Sequence, residues 1–194
     1  MQSDEQLVDG CRKGDRIAQR ELYEKYSRKL FGICLRYCDS REEAEEVLQE
    51  GLLKVYQKID AFKAEGSLES WMKKIMINTA LDTYRKNKSR ALETEWQDHL
   101  NVSTEALTEL KAKDLLVIIH QLPKGFRTVF NLYAVEGFNH SEIGKMLGIS
   151  EGTSKSQYSR ARMQLIKMLE KENQSVQQVN DFKAEDGVLP LNLL

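Results

Sequence analysis

Apolar residues recur at helical intervals along most of this chain, and that periodicity predicts an all-α fold. A short helix is expected over residues 4–16, followed by a longer one over 17–37 carrying Leu22, Tyr26, Leu30, Ile33 and Tyr37 on its apolar side. Asp39 and Ser40 break this helix and cap the next, which runs from 41 to about 59. There Ala44, Val47, Leu48, Gly51, Leu52 and Val55 form the inner side, leaving Glu42, Glu45, Glu46, Gln49 and Glu50 outside. The stretch FKAEGSLES (62–70) reads as a loop around Gly66 leading into a helix over 69–86. Its buried side is Met72, Ile75, Met76, Thr79 and Leu81, with Lys73, Lys74, Asn78 and Arg85 available outside. Residues 91–108 have no clear helical period and form a linker that lets the units on either side stay apart. Helices resume at about 107–121 and, after Leu122 and Pro123, at 126–136. Residues 173–194 are polar and acidic before ending VLPLNLL, a tail expected to be mobile or docked by its apolar end.

The most informative pattern lies between 139 and 169, NHSEIGKMLGISEGTSKSQYSRARMQLIKML. Asn139 with Glu142 three residues on has the spacing of a capping box, and Ile143, Met146 and Leu147 give that helix an apolar side. Gly148 permits the left-handed backbone of a sharp turn, Ile149 pins the turn, and Ser150 caps a second helix. This is the layout of a helix-turn-helix. The second helix presents Lys155, Ser156, Ser159, Arg160 and Arg162 along one side and Tyr158, Ala161, Leu165 and Met168 along another. Over 150–168 its net charge is +3, which suits entry into a major groove. Gly152 and Ser154 are poor helix formers, easier to explain by close approach to a ligand than by helix stability.

Composition sharpens this reading. With 194 residues, 41% hydrophobic content, 11 Gly and two Pro, the chain has room for one large or two small helical domains. The net charge of −1 conceals strong segregation: +5 over residues 71–90 and −4 over 41–50. Cys11, Cys34 and Cys38 are an odd set, read as buried core thiols of a reduced, cytoplasmic protein, and no stretch is long enough to cross a membrane. His99, His120 and His140 are dispersed without metal-ligand or nucleophile–base spacing, and no glycine-rich phosphate loop or apolar carboxylate pair is present. These features predict no enzyme activity, no catalytic residues, no metal site and no cofactor.

The order of an acidic helix, FKAEGSLESWMKKIMINTALDTYRKNKS, an acidic linker and LPKGFRTVFNLYAVEGFNHSEIGKMLGISEGTSKSQYSRARMQL resembles the extracytoplasmic-function group of sigma factors in the sigma-70 family of bacterial RNA polymerase. The resemblance covers about residues 7–169. It implies two small helical domains joined by a flexible acidic linker: a region 2-like domain over 1–90, the linker over 91–106, a region 4-like helix-turn-helix domain over 107–172 and a tail over 173–194. The implied function is to bind core RNA polymerase and direct promoter recognition, promoter melting and transcription initiation.

By that resemblance, Glu42, Glu45, Glu46, Gln49 and Glu50 dock on core polymerase. Lys63, Ser67, Lys73, Lys74 and Asn78 engage the melted minus-ten element, with Phe62 and Trp71 serving either as base-stacking platforms or as anchors of the loop. Lys155, Ser156, Ser159 and Arg160 face the duplex minus-thirty-five element and Arg162 grips phosphate. The chain departs from the commonest family pattern at Ser154, where Val usually stands, and at Gln157, where Arg usually stands. The implied partners are core polymerase, promoter DNA in duplex and single-stranded form, and an anti-sigma factor, with no insertion of this chain into a membrane. The reading from another class is an autonomous helix-turn-helix regulator that binds duplex DNA without polymerase.

Overall fold

The computed structural model of the chain describes residues 2–91 and 113–186, with side-chain detail for 2–86 and 117–170. The linker expected from 91 lies almost wholly outside the described residues, as do 187–194 with the apolar terminus. Among the described residues the regular elements are all helical: α1 (Asp4–Arg12), α2 (Arg16–Tyr37), α3 (Arg41–Lys58), α4 (Leu68–Ala91), α5 (Lys113–His120), α6 (Lys124–Phe130), α7 (His140–Leu147) and α8 (Glu151–Asp186). A single 3-10 turn, Ile59–Ala61, follows α3, and a π-helical turn, Asn131–Val135, continues α6.

Short polar side chains start the helices where the sequence places them. Ser3 and Gln6 form a reciprocal capping box on α1, while Asp15 caps α2 by accepting from the Ile17 amide. Ser40 accepts from the Glu43 amide at the head of α3, and Ser67 accepts from the Ser70 amide at the head of α4. Each such bond satisfies an amide that lacks an intrahelical partner and is worth about 1 kcal/mol.

Helices α2, α3 and α4 pack around one core in which Leu22, Leu30, Val47, Val55, Met72 and Met76 are buried. α1 lies across α2, buries Leu7, Val8 and Cys11, and is tied down by Asp4, which accepts from Lys25 Nζ at 2.7 Å and Tyr26 Oη at 2.6 Å. Cys34 and Cys38 are free thiols inside this core, and burial pushes the Cys34 thiol up to about 12, so neither is poised as a thiolate. In the second unit α8 packs on α5, α6 and α7, with Ile118, Ile119, Leu122, Ala161 and Leu165 buried together.

The two units do not stay apart. Val129, Leu132 and Ile143 of the second unit join the hydrophobic core of the first. The polar side of this seam follows from how α2 ends. Its last carbonyls have no partner within the helix, and the second unit supplies donors: His120 Nε2 to Leu35 O at 2.8 Å, Asn131 Nδ2 to Arg36 O at 2.9 Å and Arg127 to Cys38 O at 3.4 Å. Because His120 Nε2 must donate to a carbonyl, the Arg127 guanidinium at Nδ1, 3.2 Å away, meets the acceptor side of a neutral ring. Asp39 then pairs with Arg127 and, at 2.6 Å, with Lys124. Burial alone would raise the Asp39 carboxyl, but the Lys124 hydrogen bond and the two cations outweigh it and hold the group below the usual carboxylate range.

Besides α1 ending at Arg12 where a helix to 16 was expected, three details differ from the expectation. The segment expected as one helix over 126–136 is interrupted by the π turn, which turns Glu136 inward: its carboxylate is 1% exposed and paired with Arg36 at 3.0 Å and with Lys73. Second, α4 is longer than 69–86 and continues to Ala91. Third, α8 continues to Asp186, so residues 173–186 prolong the helix-turn-helix domain's last helix where a tail was expected to begin.

Candidate nucleic-acid and polymerase interfaces

The helix-turn-helix forms as its sequence dictates. Asn139 accepts from the Glu142 amide at 2.9 Å while Glu142 accepts from the Asn139 amide at 2.8 Å, completing the capping box. Gly148 ends α7 in the left-handed region, with φ of 65°. Gly144 lies against the turn so closely that a Cβ there would sit 2.8 Å from the Ile149 carbonyl oxygen. Ser150 then caps α8 by accepting from the Thr153 amide at 3.0 Å.

All five residues expected to meet duplex DNA, Lys155, Ser156, Ser159, Arg160 and Arg162, are exposed on α8. Ala161 and Leu165 are buried on its other side, with Tyr158 and Met168 half-buried. Lys155 is held one turn from the helix start by Glu151 at 2.6 Å, and Ser156 hydrogen-bonds the Thr153 carbonyl at 3.0 Å. Ser154 lies on the buried face with Tyr158, Ala161 and Leu165. It is fully buried and bonded to His140 Nδ1 at 3.0 Å, so it is explained by contact with α7, not by close approach of a ligand. Gly152 is exposed, and a Cβ there would make only an ordinary contact with Ser150.

In the first unit Lys74 and Asn78 lie one turn apart on the exposed side of α4, and Lys63 is exposed in the preceding loop. Lys73 is not with them. One residue of helix turns it about 100° away, onto the face covered by the second unit, where it holds Glu136. The Ser67 hydroxyl is committed to the α4 cap and to Ser70 Oγ at 2.8 Å. Phe62 and Trp71 are half-buried, 5.5 Å apart and packed on the core, which is the geometry of loop anchors. Between them Ala64 adopts φ of 56°, a left-handed conformation costing an alanine about 1 kcal/mol. The loop and α1 enclose a cleft of about 530 Å³ lined by Asp4, Asp9, Arg12, Phe62, Lys63 and Ser67, among others.

On α3, Glu42, Glu45, Glu46 and Gln49 are exposed and Glu50 is half-exposed. Glu45 is paired with Arg41 at 2.9 Å and Glu50 with Lys54 at 2.8 Å, both along the helix itself. The second unit reaches the head of this helix through Lys124 with Asp39 and Glu43. Sequence reasoning did not find Arg36, Arg127, Glu136 or His140 as organising residues, since an isolated charge in an amphipathic helix gives no sign that its partner comes from another unit.

Comparison with known proteins identifies both units by sequence. Residues 22–90 match the sigma-70 region 2 model and residues 112–165 match the sigma-70 region 4 model. The chain is 28% identical over 174 residues to the ECF RNA polymerase sigma-E factor of Haemophilus influenzae, covering 82% of this chain and 92% of that one. It is 28% identical over 180 residues to the ECF RNA polymerase sigma factor SigW of Bacillus subtilis, covering 84% and 94%. Its fold is similar to that of the sigma factor RpoE of Bartonella quintana, solved in complex with the anti-sigma factor NepR, with a TM-score of 0.52, 22% identity, and coverage of 78% and 96%. Two region models in order, on two helical units bearing oppositely charged outer faces, place the chain in the sigma-70 family as an RNA polymerase sigma factor of the extracytoplasmic-function group, not an autonomous regulator.

Proposed function

We propose that this sigma factor divides promoter recognition among three surfaces, and that the exposed basic side of α8 carries that reading. Lys155, Ser156, Ser159 and Arg160 project from the N-terminal half of α8, the part of a helix-turn-helix that enters the major groove, with Arg162 beside them for phosphate. A guanidinium or ammonium there reads guanine edges. The face of Glu42, Glu45, Glu46, Gln49 and Glu50 docks on core polymerase. Its exposure in the packed chain supports this, because polymerase can reach it without first separating the units.

Minus-ten recognition is assigned to Lys63, Lys74 and Asn78, with the adjacent cleft receiving an unstacked base. Extruding a base costs a few kcal/mol, offset by the cleft walls and by lysine contacts to the strand. Ser67 shapes the loop through its cap, and Lys73 contacts the strand only after Glu136 releases it. We assign the region 2-like unit to 1–90 and the region 4-like unit to 107–172, with α8 running beyond it to Asp186. The chain performs no catalysis itself; polymerase supplies the chemistry. We place it in the cytoplasm, where polymerase is, and among the described residues no helix is long and apolar enough to cross a membrane. The complex of the similar Bartonella protein with NepR supports an anti-sigma partner for this chain as well.

Reconstituted transcription tests the proposal. Added alone to core polymerase, the chain is expected to direct initiation from its own promoter and to lose that activity when α3 carries Glu46→Lys with Gln49→Lys. A specific DNA footprint by the free chain, with no polymerase-dependent transcript, would overturn it.

A further inference from the structure

We infer that His140 is a positioning residue for minus-thirty-five recognition: its bond to Ser154 sets the rotation of α8 about its own axis and so the direction in which the DNA-reading side chains point. The inference rests on the assignment of α8 to that element. His140 is the first residue of α7, and its Nδ1 lies 3.0 Å from Ser154 Oγ. The imidazole stacks on Tyr133, centroids 4.3 Å apart and planes within 10°, and its other neighbour is the Tyr158 ring at 5.8 Å. Tyr133 and Tyr158 also touch each other at 4.5 Å, and Phe130 stacks on Tyr158 at 6.0 Å. The ring is therefore held by Tyr133 on one side and by Tyr158 of α8 on another, which fixes where Nδ1 points.

Ser154 is fully buried and sits one residue before Lys155, with Tyr158 one turn further on the same side. An apolar residue at 154 would fill the space between α7 and α8 by shape alone, and dispersion contacts tolerate small rotations. A hydrogen bond does not, because it weakens steeply away from linearity. A rotation of α8 by 20° swings a side-chain tip about 6 Å from the axis by roughly 2 Å, enough to lose a bidentate base contact. The serine at 154 thus supplies a directional contact where an apolar residue would supply only shape, and the aromatic cluster makes the direction definite.

Loss of the imidazole need not unfold the domain. A serine inside a helix can turn its hydroxyl to the carbonyl four residues back, here that of Ser150, so the buried oxygen finds another partner. The test uses holoenzyme assembled from the full chain and two promoters that share a minus-ten element, one with its minus-thirty-five element intact and one with it scrambled. The wild-type chain is expected to prefer the intact promoter. His140→Ala is expected to reduce that preference about tenfold with a thermal midpoint still well above the assay temperature. His140→Asn, whose amide can occupy the place of Nδ1, should restore it to within about twofold of wild type. Full preference in His140→Ala would overturn the inference, as would equal losses on both promoters or failure of Asn to rescue. A wild-type chain indifferent to scrambling would instead remove the minus-thirty-five assignment itself, and this inference with it.

Discussion

Arg160 and Lys155 stand on the exposed side of α8, and a good contact from such a residue to a base edge discriminates by ~1–3 kcal/mol. Arg160→Ala and Lys155→Ala are therefore expected to lower transcription from minus-thirty-five-dependent promoters about tenfold each, while sparing promoters that work through the minus-ten element. Equal activity on both promoter types would remove these residues from the interface. His120 answers a different question at the same scale. Burial lowers its basicity below the ordinary 6.5, and the Arg127 charge adds to the effect. The unfolded chain therefore takes up protons first, and the contribution of the neutral ring is complete above about pH 6.5 and declines as pH falls through the lowered folded value. Thermal melts between pH 8 and 5 should show this decline, and His120→Gln, which keeps a donor for the Leu35 carbonyl, should flatten it. Asp39 adds a second and lower window: its depressed carboxyl stabilises the seam above its ordinary value near 4 and loses that contribution as pH falls further.

At the scale of elements, helix starts were legible because their chemistry is local. Asn139 with Glu142, Ser150 and Ser40 bond to amides within three residues, so no other part of the chain is needed to place them. The turn between α7 and α8 is equally local, and it is narrow. Gly148→Ala forces a left-handed alanine at a cost of about 1 kcal/mol, and Gly144→Ala drives a Cβ into the Ile149 carbonyl, where backbone cannot yield, at about 1–3 kcal/mol. Denaturant unfolding should rank Gly144→Ala as the more damaging of the two. The reverse order would mean that the two helices cross farther apart than described. The π turn over Asn131–Val135 was not legible, because FKAEGSLES-type loop signals announce a break while a π turn keeps the helical pattern and only changes which residue faces in.

At the scale of the whole molecule, the seam is held by a shared apolar core and by ion pairs between the units, with Glu136 between Arg36 and Lys73. Removing the charge of a buried carboxylate leaves two cations facing each other and costs on the order of 3 kcal/mol. Glu136→Gln should therefore shift the free chain toward a separated arrangement, raising its radius of gyration in small-angle X-ray scattering and speeding amine labelling of the already part-exposed Lys73. An unchanged radius and an unchanged rate of Lys73 labelling would show that the apolar contacts suffice without the carboxylate. On the proposed assignments the two units read separate promoter elements, and this seam is the contact that any movement between them would break.

The sequence by itself determined the helices, their caps, the helix-turn-helix and the outward faces of α3 and α8, because each depends on spacing within one or a few turns. It also carried the family resemblance, since both regions keep their order along the chain. Tertiary structure alone decided that Lys73 turns from Lys74 and Asn78 toward Glu136, that α2's open carbonyls are closed by His120, Asn131 and Arg127, and that Ser154 pairs with His140. Those outcomes depend on groups 14 to 95 residues apart in sequence. A side chain's pattern states which face it occupies; what stands opposite that face is fixed only when the units pack.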